Sequence, residues 1–143
     1  MSEYQVDVFF YGSYINFDVL AEASIGQRPY QVAWAPNHKL IISPLANLIK
    51  DAASTAFGII IKLNHDELDY LYIEHAQGQL GGTYLPEAIL TYTASNVIVP
   101  ALTYISHDLE PATPDPAYVD RILRPARQYQ FPESYLNHIE SFK

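Results

Sequence analysis

Apolar residues in the first half of the chain fall into short runs broken by glycine, proline and asparagine, which is the spacing of strands and turns. Tyr4 to Phe10 (YQVDVFF) is rich in β-branched and aromatic residues and stops at Gly12-Ser13, which predicts a first strand. Phe17, Leu20 and Ala21 then recur at helical spacing, with Asn16 or Asp18 as the cap and Gly26 as the stop, predicting a helix to about Ser24. Tyr30–Trp34 and Lys39–Ile42 are two short apolar runs on either side of Pro36-Asn37, and predict a hairpin or two corner strands. Ala56–Leu63 (AFGIIIKL) reads as a strand buried on both faces.

Asn64, followed at the capping-box spacing by Glu67, opens a helix that Leu68, Leu71 and Tyr72 carry to about Ala76. Gln77 to Gly82 predicts a glycine-rich turn. Thr83–Tyr92 and Val97–Ser106 predict antiparallel strands joined through Thr93–Asn96. The prolines between His107 and Pro116 predict an irregular loop, and helices follow over Ala117–Gln128 and Pro132–Phe142. The order β-α-βββ-α-ββ-αα predicts an α+β fold, with a mixed, curled sheet and helices packed outside it.

Composition narrows what such a fold can do. At 143 residues the chain has the usual length of one domain, so a single domain over residues 1–143 is expected. With 49% hydrophobic residues, 12 Tyr and 6 Phe, it should be ordered throughout. The absence of cysteine removes disulfides, thiolate nucleophiles and cysteine-bound metals together. A net charge of -8 opposes phosphate backbones and anionic membranes, so neither nucleic acid nor membrane is an expected partner. Met1 to Gln5 lacks the features of a signal peptide, and no apolar run is long enough to span a bilayer, so a soluble, cytoplasmic protein is expected. The oligomeric state stays open, a homodimer included.

The chemistry centres on Tyr11-Gly12-Ser13-Tyr14, between the first strand and the first helix. A glycine turn there points successive backbone N–H groups outward, where they can hold a carboxylate or a developing oxyanion. The five histidines are dispersed with no HxH or HExxH spacing, so no metal site is expected. Ser13 lacks the GxSxG context of a nucleophile elbow.

YGSY after an apolar strand resembles the YGSN or YGTL loop of the γ-glutamylcyclotransferase-like (AIG2-like) superfamily. Phe57–Leu63 with Asp66–Leu71 is similar to that family's "GVVWKL" strand and the helix leading to its catalytic glutamate. Pro114 to Tyr135, with Tyr118, Ile122, Ala126, Phe131-Pro132 and Tyr135, resembles its C-terminal signature. The resemblance implies a mostly antiparallel curled sheet or small barrel. It also implies an enzyme that converts a γ-glutamyl amine or amino acid to 5-oxoproline, releasing the amine without metal or cofactor. Residues Tyr11, Gly12, Ser13, Tyr14 and Ile15 would bind the substrate, Tyr118 matches the family's C-terminal tyrosine, and Tyr84 is a further pocket candidate. A glutamate would act as general base.

This sequence departs from the family at two positions. Tyr14 replaces the loop's usual asparagine or small residue, and counting four places from Leu71, where the family has its glutamate, lands on His75. Glu74 lies one residue short, at the edge of the apolar helix face, and is one candidate base. Glu87 is the other, because strand alternation puts it on the side of Leu85 and Ile89. His75 itself reads as a packed or hydrogen-bonded helix-end residue. The alternative to an enzyme is a non-catalytic protein that binds a small carboxylate or amide on the same fold.

Overall fold

The structure, a computed structural model, describes residues 4–143, the side chains of residues 79 and 80 excepted. Met1 to Glu3, part of the N-terminal segment that lacks signal-peptide features, lie outside the described residues. Strands β1 (Gln5–Phe10), β2 (Tyr30–Ile42), β3 (Ala46–Asn64), β4 (Leu85–Thr93) and β5 (Ile98–Ile105) close into a barrel in the order β1-β3-β2-β4-β5. Its pairs are antiparallel except at the closure, where β1 runs parallel to β5 through Val8 and Leu102. This is the mixed, mostly antiparallel small barrel expected from the sequence.

Two strands are longer than their apolar runs. The segments expected as separate elements around Pro36-Asn37 form one strand, β2, with a register shift between Pro36 and His38. Asn37 absorbs the extra residue at a φ of 65°, a left-handed conformation that asparagine tolerates. Residues 46–55 carry exposed Lys50 and no apolar run, so the sequence shows no strand there. They are nonetheless the first half of β3, held by pairing with β2 from Ala46 opposite Ile42 onward. Pairing satisfies the backbone whatever the side chains are. Ala56–Leu63 is buried as expected, with Ile59, Ile60 and Ile61 all at most 4% exposed. Gly58 allows the close approach of β1, since a Cβ there would lie 2.0 Å from the Phe10 carbonyl oxygen.

Helix α1 (Phe17–Glu22) is capped by Asn16, whose side chain accepts from the Asp18 N–H. Helix α2 (His65–Asp69) starts on the expected capping box of Asn64 and Glu67. It then widens into a π-helix over Tyr70–Leu80. The glycine-rich segment is therefore helical almost to its end. It turns only at Gly81, which has a φ of 80°, and the Gly82 N–H closes the helix onto the Ala76 carbonyl at 3.1 Å.

Helix α3 (Pro116–Gln128) buries Val119, Ile122, Leu123 and Ala126, one face at helical spacing, and α4 (Glu133–Glu140) adds Tyr135 and Ile139. These side chains join Phe9, Phe10, Ile59, Ile61 and Leu71 in one apolar core. Among the described residues, no helix is long and apolar enough to cross a membrane.

Candidate functional site

The turn after β1 tightens into a 3-10 helix over Ser13–Ile15. Gly12 packs directly on the start of β3, where a Cβ would lie 2.7 Å from that of Ala46. The N–H groups of Gly12, Ser13 and Tyr14 meet no acceptor among the described residues, as expected at a helix start. Around this turn lies a cavity lined by Phe10, Tyr11, Gly12, Ser13, Tyr14, Leu45, Ala46, Tyr72, Ala76, Tyr84, Tyr104 and Tyr118.

Six of the expected site residues, Tyr11, Gly12, Ser13, Tyr14, Tyr84 and Tyr118, thus converge on one place. Ile15 does not join them. Its side chain is fully buried in the core, and its carbonyl accepts from the Tyr129 hydroxyl at 2.7 Å.

The tyrosine rings are anchored through their hydroxyls. Tyr84 donates to the Ala46 carbonyl at 2.6 Å, while the Ala46 N–H donates to the Tyr118 hydroxyl at 3.0 Å. Tyr11 donates to the Tyr104 carbonyl at 2.6 Å, and the Tyr104 ring stacks on Tyr72 with centroids 3.7 Å apart. Burial pushes the phenols of Tyr11, Tyr14, Tyr72, Tyr84 and Tyr118 above their ordinary range, so they stay protonated at any physiological pH. At Tyr14 the neighbouring Tyr118 and the Glu22 carboxylate add to the effect of burial. These groups are neutral donors.

The cavity has a volume of about 40 Å³. A water needs at least about 10–15 Å³ on this measure, so the site as it stands holds a few waters.

Neither candidate glutamate reaches the cavity. Glu74 is exposed, because the π-helix turns Leu71, His75 and Ala76 inward and leaves Tyr70, Ile73 and Glu74 facing solvent. The helix does loosen, as an inward Glu74 would need, but the inward place goes to His75. Glu87 sits on the inward-alternating side of β4 with Ile89, as expected, yet its side chain is 35% exposed and pairs with His107 at 2.8 Å.

His75 is 1% exposed and bonded at both ring nitrogens. Nδ1 lies 2.9 Å from the Tyr14 hydroxyl, and Nε2 lies 3.2 Å from Glu22 Oε1. A carboxylate can only accept, so Nε2 carries the proton facing Glu22, and in the neutral ring Nδ1 accepts from Tyr14. The Leu71 carbonyl, 3.2 Å from the Tyr14 hydroxyl, is the competing acceptor. Glu22 Oε2 in turn is held by the Arg121 guanidinium.

The placement of Arg121 has a local cause. Pro125, one turn further along α3, has no N–H to give the Arg121 carbonyl. The Asn16 side-chain amide bonds that carbonyl instead at 2.9 Å, tying the start of α1 to α3.

No family model and no curated protein matches this sequence. Solved structures do match. A γ-glutamyl cyclotransferase superposes with a TM-score of 0.80 at 19% identity, over 98% of this chain and 89% of that one. YkqA from Bacillus subtilis gives 0.77 at 21% identity, over 97% of this chain and 55% of YkqA. A γ-glutamyl cyclotransferase specific to glutathione from yeast gives 0.66 at 8% identity, over 96% and 95%. The chain has the γ-glutamylcyclotransferase-like fold. Tyr14 and His75, the two positions singled out by the sequence, are hydrogen-bonded to each other and form a single feature of the site.

Phe10, Leu45, Ala46, Tyr72, Ala76 and Tyr104 were not foreseen as lining residues. The tyrosines carry no signal beyond their abundance, and Leu45 and Ala46 arrive through the β2–β3 connection. His75 did carry a signal, its spacing from Leu71.

Proposed function

We propose that the protein cyclises a small γ-glutamyl compound to 5-oxoproline and releases its amine, with the substrate held on residues 11–14. The observation that supports this best is the convergence of Tyr11, Gly12, Ser13, Tyr14, Tyr84 and Tyr118 on one cavity, in a fold shared with γ-glutamyl cyclotransferases. Unengaged N–H groups of the turn would accept negative charge on the substrate or on the γ-carbonyl oxygen as it becomes tetrahedral. Nucleophile and electrophile belong to one molecule, so holding it folded supplies much of the rate.

The proton acceptor in this reading is His75, reached through the Tyr14 hydroxyl, and neither Glu74 nor Glu87. His75 occupies the place that the family resemblance gives to glutamate, and it is the titratable side chain bonded to a cavity tyrosine. The proton taken from the substrate's α-amine returns to the leaving amine, so neither metal nor cofactor enters the step.

The test is release of 5-oxoproline from a panel of γ-glutamyl amines and γ-glutamyl amino acids. His75→Ala should lower kcat/KM by about 100-fold or more, the usual loss of a general base, while Glu74→Gln and Glu87→Gln stay within about twofold. Loss of turnover in Glu87→Gln alone would move the base to Glu87. If no substrate yields product, the enzyme reading fails and a carboxylate- or amide-binding protein on the same fold takes its place.

A further inference from the structure

Glu22 has no place in the family resemblance described above, yet its Oε1 lies 3.2 Å from Nε2 of the buried histidine. We propose that Glu22 is a positioning residue: it holds the proton on His75 Nε2, leaves Nδ1 free to accept through Tyr14, and stabilises the imidazolium that forms. This rests on the cyclotransferase reading for its catalytic consequence, although the tautomer it predicts does not.

The geometry carries the assignment. His75 is closed off from solvent, so an unpaired ring nitrogen there would be costly, and each nitrogen has a partner of a different kind. A carboxylate at Nε2 leaves one arrangement for the neutral ring. Arg121 holds the other oxygen of Glu22, and the bond from the Asn16 side chain to the Arg121 carbonyl ties the start of α1 to α3. The charged and titratable groups bonded into this chain come from three elements: Tyr14 from the 3-10 turn, Glu22 from α1 and Arg121 from α3.

The proton balance closes without another reactant. With the substrate's α-amine neutral, its nitrogen forms a C–N bond to the γ-carbonyl carbon and passes its surplus proton to the Tyr14 oxygen while the Tyr14 hydroxyl proton moves to His75 Nδ1, so one hydrogen stays on the new ring nitrogen. When the old amide C–N bond breaks and the carbonyl re-forms, the leaving nitrogen takes that proton back along the same path, and His75 returns to neutral. Glu22 stays ionised throughout, as an orienting carboxylate does beside a catalytic histidine.

The experiment is 15N NMR of His75 in the intact protein, run beside steady-state kinetics. We expect native protein in the neutral state to show a single tautomer, protonated at Nε2. Glu22→Gln keeps an acceptor oxygen and should retain that tautomer, but it loses the charge that stabilises the imidazolium. Its kcat should fall by about tenfold or more with KM little changed. Glu22→Ala should lose the single tautomer as well, with circular dichroism confirming that it folds.

A native ring protonated at Nδ1, or a tautomer unchanged in Glu22→Ala, overturns the proposal. An unchanged kcat in Glu22→Gln, in an enzyme that does make 5-oxoproline, overturns it too. If no substrate gives 5-oxoproline, the cyclotransferase reading fails by itself, and the NMR arms still decide whether Glu22 sets the tautomer.

Discussion

Two sets of buried polar atoms lie on opposite ends of one scale. Asn47, near the start of β3, gives its side-chain N–H to the Ser106 carbonyl at 2.8 Å, and its oxygen accepts from the N–H groups of Ser106 and Leu48, both at 3.1 Å. Every partner is backbone, nothing titrates, and the set ends within the protein. The Tyr14–His75–Glu22 chain is equally well bonded, but it has a proton that can move along it and a far end in solvent, Glu22 being 46% exposed. The closed set can only hold the structure together, whereas the open chain contains the groups that the proposed proton path needs. Counting hydrogen bonds would not separate them.

Breaking the closed set should have the largest effect on stability. Asn47→Ala leaves the Ser106 N–H and carbonyl buried without partners, and should cost about 3 kcal/mol in urea unfolding. An unchanged unfolding midpoint would show that Asn47 does not hold β3 to the end of β5. Tyr14→Phe tests the open chain from its buried end. It removes one hydroxyl and keeps the ring, so it should cost about 1–2 kcal/mol in the same assay. It should also abolish most 5-oxoproline formation, and full turnover with phenylalanine there would remove Tyr14 from the proton path.

The smallest effect belongs to a third kind of contact, the surface pair of Glu67 with Arg28 at 2.9 Å. Burial pushes the Glu67 carboxyl up, but hydrogen bonds from the Arg28 side chain and the Asn64 N–H, with the guanidinium charge, overcome it and leave it below the ordinary range. A carboxyl depressed in the folded state contributes stability above its unfolded pKa, about 4.3, and loses it as pH falls through the lower folded value. Glu67→Gln should therefore cost about 1 kcal/mol or less near neutral pH, with the difference from native protein vanishing in acid. A gap that widens on acidification would contradict this sign.

Much of the frame was legible beforehand. The strand at Tyr4–Phe10, the isoleucine run of β3, the Asn64–Glu67 cap and the face of α3 each depend on neighbours in sequence. The first half of β3 was not legible, since pairing with β2 rather than side-chain propensity holds it extended. In the site, the YGSY turn and the odd placement of His75 could be read from spacing. Glu22 could not, because 53 residues separate it from His75.

The sequence by itself determined most of the local elements, the acidic and cysteine-free character, and the placing of a histidine four residues after Leu71. Those features follow from composition, short-range periodicity and counting. Only the tertiary structure decided that Glu74 faces solvent and Glu87 pairs with His107. It alone brought Tyr14, His75, Glu22 and Arg121 into one chain. Such contacts are made when the barrel closes and α3 packs against the 3-10 turn, so they depend on distances that no stretch of sequence contains.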